Sequence, residues 1–234
     1  MTVALLIPTI NEIEGMKVIM PRIKREWVDE ILFVDGGSTD GTIEYCKEHG
    51  YPLISQKERG ARFAYNEAIA VIKSDNIILF SPDGNSIPEV IPSLVEKASE
   101  GYDMVIVSRY LAGAKSEDDG LLTGFGNKIF TFLINILYGG KYTDAMVMYR
   151  IWKKQIYYDL DLHKNESYER EEKMFGTIVG VEPLLSIRAA KRKLQIAEIP
   201  GDEPARIGGV AKLKPFKWGA CYLYEVIREI FVWR

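Results

Sequence analysis

The sequence predicts an α/β fold in which a mainly parallel central sheet is flanked by helices. Short apolar runs alternate with helical patterns through the first half of the chain, as parallel strands joined by helical crossovers require. The 234 residues suit one large domain better than two complete ones. A hydrophobic fraction of 47% with 27% charged residues is typical of a well-packed protein and excludes a mainly disordered or fibrous chain.

The apolar runs of the first half predict five buried strands, at residues 3–7, 30–34, 52–54, 76–80 and 104–107. Helical spacing predicts four helices between them, at residues 14–25, 40–49, 61–73 and 88–100. In the second half we expect an amphipathic helix at residues 123–137, followed at 139–150 by a turn that leads into an extended segment. A further helix is expected at 181–191 and a strand at 194–199. Residues 201–214 suit a mobile loop, and the aromatic tail at 218–233 is helix-like.

Charge and cysteine content narrow the classes of partner and compartment. A net charge of −3 gives no reason to expect nucleic acid as a partner, although residues 188–217 are rich in Lys and Arg. Cys46 and Cys221 form neither a disulfide framework nor a zinc signature, which favours the cytoplasm. No run reaches the roughly 18 uncharged apolar residues of a membrane span. The nearest approach, residues 121–138, contains Lys128 and two asparagines.

Polar loops follow several of the predicted strands, where the ligands of a parallel sheet bind. They lie at residues 8–12, 35–40, 56–62 and 81–86, and all are rich in polar residues and glycine. Asn11 and Glu12 follow the first strand, although Asn11 also suits a helix cap. Asp35 ends the second strand, where a carboxylate can accept hydrogen bonds from a base edge or a ribose hydroxyl.

Asp83 and Asn85 lie two residues apart on a tight loop after the fourth strand. They offer hard oxygen ligands to one small divalent cation, Mg²⁺ or Mn²⁺, and an Asx-rich turn is the alternative interpretation. Arginine forks and lysine charges match phosphate oxygens. The basic candidates for phosphate binding are Arg59, Arg62, Arg109, Arg206 and Lys212.

The order of these motifs resembles family-2 inverting glycosyltransferases of the GT-A fold, and is most similar to the dolichyl- or polyprenyl-phosphate sugar synthases. The matching segments are IPTINE (7–12), VDGGSTDGT (34–42), DGNSIPE (83–89), VSRY (107–110), TD (143–144), YR (149–150), IP (199–200), RIGG (206–209) and KL (212–213). The resemblance implies a nucleotide-sugar-binding part at about residues 1–110 of a single domain. An acceptor-side elaboration at about 111–217 and an aromatic C-terminal helix at about 218–234 would complete it.

On the donor side, the resemblance implies that the nucleoside pocket is lined by Pro8, Asn11, Glu12 and Asp35. Asp83, assisted by Asn85, would bind the metal that neutralises the diphosphate. Arg206 and Lys212 would close over the phosphates, and Arg62 is counted among the donor-binding cations.

On the acceptor side, Arg109 would face the sugar phosphate or the acceptor, while Asp144 and Arg150 would shape the pocket. A phosphate acceptor needs no general base, whereas a hydroxyl acceptor needs one within about 3 Å. Asp144 is the preferred base, and Glu182 is the second candidate.

Three departures from the family pattern bear on the acceptor and the metal. Ser81 stands at the first acid of the usual Asp-x-Asp metal motif, and Gly36 stands at the second acid of the base-binding motif. Asp118 and Asp119 lie where the lipid-phosphate synthases usually have an Arg and a Ser. The acceptor therefore stays open between a polyprenyl phosphate and a glycan hydroxyl.

Two other functions stay open on the residues alone. A sugar-phosphate nucleotidyltransferase needs a glycine-rich, basic loop after the first strand, and residues 8–12 do not provide one. A non-catalytic nucleotide-sugar-binding domain is suggested by Ser81 and Gly36. A Rossmann dehydrogenase is set aside because no GxGxxG follows the first strand.

The expected location is the cytoplasm, with peripheral contact to the inner membrane face as a further option. Basic and aromatic residues near the tail, from Lys212 to Trp233, suit an interfacial helix. A helix packed on its own domain or on a second subunit explains the same pattern, so the oligomeric state is open and a homo-oligomer is one option.

Overall fold

A computed structural model describes residues 1–208 and 215–233. Within these residues, seven strands form one sheet in the order β3-β2-β1-β4-β6-β5-β7. The strands are β1 (Val3–Thr9), β2 (Glu30–Asp35), β3 (Leu53–Ser55), β4 (Asn76–Leu79), β5 (Met104–Ser108), β6 (Arg150–Lys153) and β7 (Ile196–Pro200). Among them, β6 runs antiparallel to both β4 and β5, and the other neighbouring pairs are parallel. The chain thus has the predicted mainly parallel sheet.

Helices cover both faces of this sheet. They are α1 (Ile13–Ile19), α2 (Thr42–Glu48), α3 (Ala61–Ile69), α4 (Ile91–Ser99), α5 (Leu121–Tyr138), α6 (Lys154–Asp159), α7 (Glu169–Phe175), α8 (Glu182–Lys191) and α9 (Pro215–Arg228). Short 3₁₀ turns lie at Met20–Arg22, Arg25–Trp27, Pro88–Val90 and Asn165–Ser167. The hydrophobic core includes all of β5 except Ser108 and most of β1 and β4, because these central strands are covered on both sides.

The first-half elements are confirmed, with shifts at their ends that have local causes. α1 stops at Ile19 rather than continuing to residue 25, and Pro21 lies in the 3₁₀ turn that follows. Proline lacks the backbone N–H that a longer helix would need there. The fourth predicted helix begins with a separate turn at Pro88–Val90 before α4.

The first strand was predicted to end at residue 7, but β1 continues through Pro8 to Thr9, which pairs with Asp35 of β2. The Leu6 carbonyl accepts from Phe80 on the β4 side, and the Thr9 carbonyl accepts from Gly36 on the β2 side. By this alternation Pro8 faces β4, whose pairing with β1 has already ended at Leu79. The missing N–H of Pro8 therefore interrupts no ladder bond.

The second half contains elements beyond the predicted ones. The extended segment predicted up to residue 150 lies mostly outside regular structure, and strand β6 begins only at Arg150. α6 and α7 were not predicted. α5 begins two residues earlier than expected, α8 and β7 match their predictions closely, and α9 begins at Pro215.

α5 and α9 carry apolar side chains that the described chain leaves exposed. We call this set the α5/α9 apolar surface: Leu121, Leu122, Phe125, Ile129, Phe132, Ile136, Leu137, Phe216, Leu223 and Ile227. The two helices run in parallel, since Phe130 meets Tyr222 and the Tyr138 hydroxyl donates to the Val226 carbonyl. By length and composition α5 could cross a membrane, despite Lys128. In this structure α5 instead packs along α8 and α9.

Candidate active site

A cavity of about 760 Å³ opens at the carboxyl ends of the central strands. Glu12 follows β1, Asp83 follows β4 and Arg109 follows β5, and all three line the cavity. Another part of the wall comes from α5 and α9, from their N-terminal turns up to Phe130 and Tyr222. The cavity thus occupies the place where a parallel sheet binds its ligands.

Asp83 and Arg206 meet at the floor of this cavity. The Asp83 carboxylate is almost fully buried, and its Oδ2 lies 2.7 Å from Nη1 of Arg206. Its Oδ1 accepts the backbone N–H of Asn85 at 3.0 Å. Arg206 is itself held in place because the Ile207 N–H donates to the Asp83 carbonyl at 2.8 Å. The chain segment that bears Arg206 is therefore fastened to the Asp83 loop.

Asn85 presents a buried oxygen that has no hydrogen-bond partner. Its side-chain amide donates to Asp118 at 2.8 Å, which orients Oδ1 away from that carboxylate. A buried acceptor without a partner is costly, and a cation is one group that satisfies it. Among the described residues, no three His, Cys, Asp or Glu side chains are grouped to hold a metal. Within the part of the chain that the structure describes, Asp83 and Asn85 are the candidate ligands at this loop, and water or substrate phosphates would complete the coordination of a cation.

Two glycines make this loop possible. Gly84 has a φ of +100°, and a Cβ there would lie 2.6 Å from the Ile207 side chain, so only glycine lets the two loops meet. Gly15 of α1 packs directly on the loop, where a Cβ would overlap the Pro82 carbonyl and lie 2.8 Å from Cα of Asp83. The position of the Asp83 carboxylate is therefore set by backbone contacts on two sides.

Arg109 lies on the cavity wall among three carboxylates. Its Nε and Nη2 donate to Asp144 at 2.7 and 3.0 Å. Its Nη1 lies 3.2 Å from Glu203 and 3.4 Å from Asp119. Burial alone would lower the pKa of Arg109, because it disfavours the charged guanidinium. The hydrogen bonds and the charge of Asp144 outweigh the effect of burial, so the pKa of Arg109 is raised. Burial also raises the pKa of Glu203. This wall of the cavity therefore carries three carboxyl groups around one guanidinium group.

Asp144, the preferred general base, is completely buried and is not among the cavity-lining residues. Besides Arg109, it accepts the backbone N–H groups of Met146 and Val147 at 3.3 and 3.2 Å. The geometry differs from the expectation of a base, because no oxygen of Asp144 faces the reacting space. Met146 and Val147 do line the cavity, so Asp144 contributes to its shape through this loop.

Arg150 supports the same loop from beneath. Its guanidinium is fully buried and donates to the Val147 and Ala145 carbonyls and, at 2.9 Å, to Ser186. Burial lowers the pKa of Arg150, despite nearby carboxylates that act in the opposite direction. Arg150 thus affects the cavity indirectly, by holding the backbone of the loop at Ala145 and Val147 in place.

Two of the predicted nucleoside-binding residues, Asp35 and Asn11, form one network at the ends of β1 and β2. Asp35 is buried and accepts hydrogen bonds from the backbone of Gly37 and Ser38 at 2.9 and 2.8 Å, and from Thr9 at 3.1 Å. Asn11 has a φ of +57° and accepts the Thr39 N–H at 2.8 Å, so it joins the two loops instead of capping α1. Asp35 and Asn11 therefore organise the loops, and neither lines the cavity.

Arg62, predicted to bind the donor, lies elsewhere. Its side chain is buried and pairs with Glu172 at 2.8 Å and with Asn165 at 2.7 Å. Its guanidinium also covers the rings of Phe63 and Tyr168. These contacts fasten α3 to α7 and leave Arg62 outside the cavity. Lys212 lies outside the described residues.

Glu182 and Tyr65 line the cavity, and the sequence pointed to only one of them. The Tyr65 hydroxyl donates to Glu182 at 3.2 Å. Burial raises the pKa of Glu182, although its partners Arg150 and Tyr65 act in the opposite direction. Burial and the charge of Glu182 raise the pKa of Tyr65. Glu182, the second candidate base, is thus a carboxyl group on the cavity wall, whereas Tyr65 was not among the predicted residues.

Comparisons with known proteins agree with this architecture. The family described as "Glycosyl transferase family 2" matches residues 4–161. Glycosyltransferase AglJ of Haloferax volcanii is 25% identical over 97% of this chain and 71% of its own length. Dolichyl-phosphate hexose transferase of the same organism is 26% identical over 96% of this chain and 92% of its own.

Among solved structures, glucosyl-3-phosphoglycerate synthase from Mycobacterium tuberculosis superposes with a TM-score of 0.71. That structure holds Mn²⁺, UDP and phosphoglyceric acid, and another crystal of the same enzyme holds Mg²⁺ and UDP. At 18% identity over 99% of this chain and 79% of that one, the likeness establishes the GT-A fold.

Proposed function

The chain belongs to glycosyl transferase family 2 and is a glycosyltransferase, and we propose that it moves a sugar from a nucleoside diphosphate sugar to a polyprenyl phosphate. One observation carries the choice of acceptor: the cavity opens directly onto the α5/α9 apolar surface. Leu122 and Phe216 belong to both the cavity wall and that surface. A polyprenyl chain buries apolar area along such a path, whereas a water-soluble acceptor does not need one.

The donor diphosphate fits the loop that bears Asp83 and Asn85. The oxygens of these two side chains suit Mg²⁺ or Mn²⁺, which keep positions open for water and substrate phosphates. When bound there, the metal would neutralise the charge that develops on the departing nucleoside diphosphate. Arg206, now 2.7 Å from Asp83, is close enough to turn to the diphosphate, and Lys212 stays a candidate for the same role.

The nucleoside would lie across the ends of β1 and β2. Pro8, Asn11, Glu12 and Asp35 are the candidates to hold it. Asp35 acts through the loop backbone that it organises, since both of its carboxylate oxygens accept hydrogen bonds within the protein, and Asn11 Oδ1 likewise accepts the Thr39 N–H. Glu12 reaches the cavity directly.

The transfer would be a single displacement at the anomeric carbon, which inverts its configuration. An acceptor phosphate is already anionic, so its oxygen attacks without a general base. Arg109 is the cation on the acceptor wall, and Asp144 accepts hydrogen bonds from two of its three guanidinium nitrogens, Nε and Nη2. Asp144 is accordingly a positioning residue in this scheme. The separating charge is stabilised by groups that are already in place, as preorganised sites do.

A hydroxyl acceptor is the second candidate, and one observation favours it. Three carboxylates surround Arg109, which weakens that wall as a site for a further phosphate. Glu182 lies in the cavity and has a raised pKa, as a general base for a hydroxyl requires. In that reaction Glu182, rather than Asp144, would take the proton.

The proposed location is the cytoplasmic face of a membrane. Cys46 and Cys221 are unpaired and buried, as expected in a reducing compartment. The α5/α9 apolar surface would contact the bilayer, which is where a polyprenyl phosphate resides. The enzyme would thus take its donor from solution and its acceptor from the lipid.

Thermal unfolding with nucleotides tests the donor half of the proposal. UDP, GDP, CDP and dTDP are each added with Mn²⁺ or with a chelator, to wild type, Asp83→Asn and the exposed control Asp159→Asn. A ligand at about 100 times its dissociation constant stabilises by about 2.7 kcal/mol. We expect one nucleotide to raise the midpoint in wild type and in the control, with the increase lost on chelation and in Asp83→Asn. No increase with any nucleotide in folded protein would contradict a donor site.

A further inference from the structure

The C-terminal ends of α5, α8 and α9 meet at one corner of the molecule, far along the helices from the cavity. Trp233 packs against the end of α8, with the Arg192 guanidinium 4.9 Å and the Lys191 ammonium 5.6 Å from its ring centre. Lys191 also covers the Tyr138 ring at 5.6 Å and donates to the Trp233 carbonyl. A concavity of about 430 Å³ lies between these side chains. We call it the basic corner.

The basic corner has more cations than anions. Lys191, Arg192 and Lys193 are consecutive, and within residues 1–208 and 215–233 none of them forms an ion pair. Two anions lie nearby: Glu229 is completely buried and is paired with Arg188 at 3.1 Å, and Asp161, which accepts the Trp233 indole N–H at 3.3 Å, is paired with Lys164 at 2.8 Å. Since Arg192 and Lys193 are exposed, their charge is presented to solvent.

Apolar side chains border the same concavity. Leu137 and Ile230 line it, and Phe231 and Val232 beside them are 75% and 56% exposed. Leu137 is also the last member of the α5/α9 apolar surface on α5, which begins at the cavity. Aromatic rings and long basic side chains next to exposed aliphatic groups are typical of a membrane interface.

We propose that the basic corner binds the phosphate headgroups of anionic phospholipids and so orients the enzyme on the bilayer. The cations of Arg192 and Lys193 would meet the headgroup phosphates, while Phe231 and Val232 enter the acyl boundary. With the basic corner at one end and the cavity at the other, α5 and α9 would lie along the membrane. The inference rests on the proposed membrane contact, and it adds the lipid class that the surface prefers.

Vesicle binding tests this inference. Co-sedimentation is measured with vesicles of phosphatidylcholine alone and of equal parts phosphatidylcholine and phosphatidylglycerol. The proteins are wild type, Arg192→Gln/Lys193→Gln and the control Lys17→Gln/Lys47→Gln, whose lysines are exposed on α1 and α2. Each basic residue near an anionic surface contributes roughly five-fold in affinity, so the corner variant should bind the anionic vesicles about 25-fold more weakly.

The supporting result is a preference of wild type for anionic vesicles that the corner variant loses and the control keeps. Equal binding to both vesicles, or an equal loss in the control, would overturn the inference.

Transfer to detergent-dispersed polyprenyl phosphate is measured on the same proteins. If this activity is intact while no vesicle is bound, the headgroup inference fails and the proposed reaction stands; if the activity is absent in wild type, the proposed reaction itself fails.

Discussion

Gly15→Ala is the change whose effect on the site can be worked most directly from the structure. Gly15 lies inside α1, where alanine is intrinsically better by about 1 kcal/mol. The new Cβ would nevertheless overlap the Pro82 carbonyl and lie 2.8 Å from Cα of Asp83, and ordinary contact begins at 3.4 Å. The Asp83 loop therefore has to move by at least about 0.6 Å, the difference between these distances, because the overlap with the Pro82 carbonyl is closer still.

A displacement of this size affects both catalysis and folding. A shift of about 1 Å at a reacting group can lower the rate about 100-fold, and overpacking typically costs about 1–3 kcal/mol of unfolding free energy. We expect Gly15→Ala to lower kcat by about 10- to 100-fold and to weaken the metal-dependent stabilisation by nucleotide. Steady-state transfer assays and thermal unfolding measure the two effects.

Gly124→Ala is the matched control. Gly124 is also inside a helix, α5, but a Cβ there would lie 3.7 Å from Asp119, which is ordinary contact. This variant should keep its kcat and gain stability from helix propensity. If Gly15→Ala keeps the wild-type kcat and nucleotide response, the Asp83 loop does not need the position described here, and the reasoning is refuted.

Three further predictions concern buried charges. Glu225 is fully buried with neither carboxylate oxygen hydrogen-bonded, and burial followed by the charge of Glu171 raises its pKa. Because the folded pKa is raised, stability should fall as pH rises above the ordinary value of 4.5, by up to about 1.4 kcal/mol per pH unit. Glu225→Gln should remove this fall in urea titrations across pH, and equal pH dependence in both proteins would contradict the assignment. Arg62→Met should lower the unfolding free energy by about 3 kcal/mol because Glu172 loses its buried partner, yet leave the nucleotide dissociation constant unchanged. A higher nucleotide dissociation constant in this variant would instead place Arg62 in the donor site. Asp144→Asn should lose about 3 kcal/mol of stability through Arg109. At a temperature where it is folded, its kcat should stay within about tenfold of wild type, and a loss of 100-fold or more would contradict this expectation.

Much of the fold could be predicted because central parallel strands read as continuous apolar runs. β6 could not, since Arg150–Lys153 has only two apolar residues and its antiparallel position between β4 and β5 depends on contacts distant in sequence. Pro8 shows the same limit, because whether it ends a ladder depends on where β4 stops.

The candidate site was predictable where a residue directly follows a strand. Glu12 and Asp83 were chosen for that reason and Arg109 as a phosphate-binding cation, and all three line the cavity. The sequence could not reveal that Arg62 pairs with Glu172, 110 positions away, or that Asp144 is enclosed by Arg109. Tyr65 and Glu203 were missed because a helix face and an irregular loop carry no motif. Their role as cavity residues depends on tertiary packing.

The most direct measurement of the central claim is transfer of a radiolabelled sugar from its nucleoside diphosphate to polyprenyl phosphate. The acceptor is offered beside a water-soluble glycan, with Mn²⁺, and the products are separated by organic extraction. We predict label in the lipid phase for wild type and Glu182→Gln, and none for Asp83→Asn. Label found on the glycan in the aqueous phase and lost in Glu182→Gln would contradict the lipid-phosphate acceptor and favour the hydroxyl.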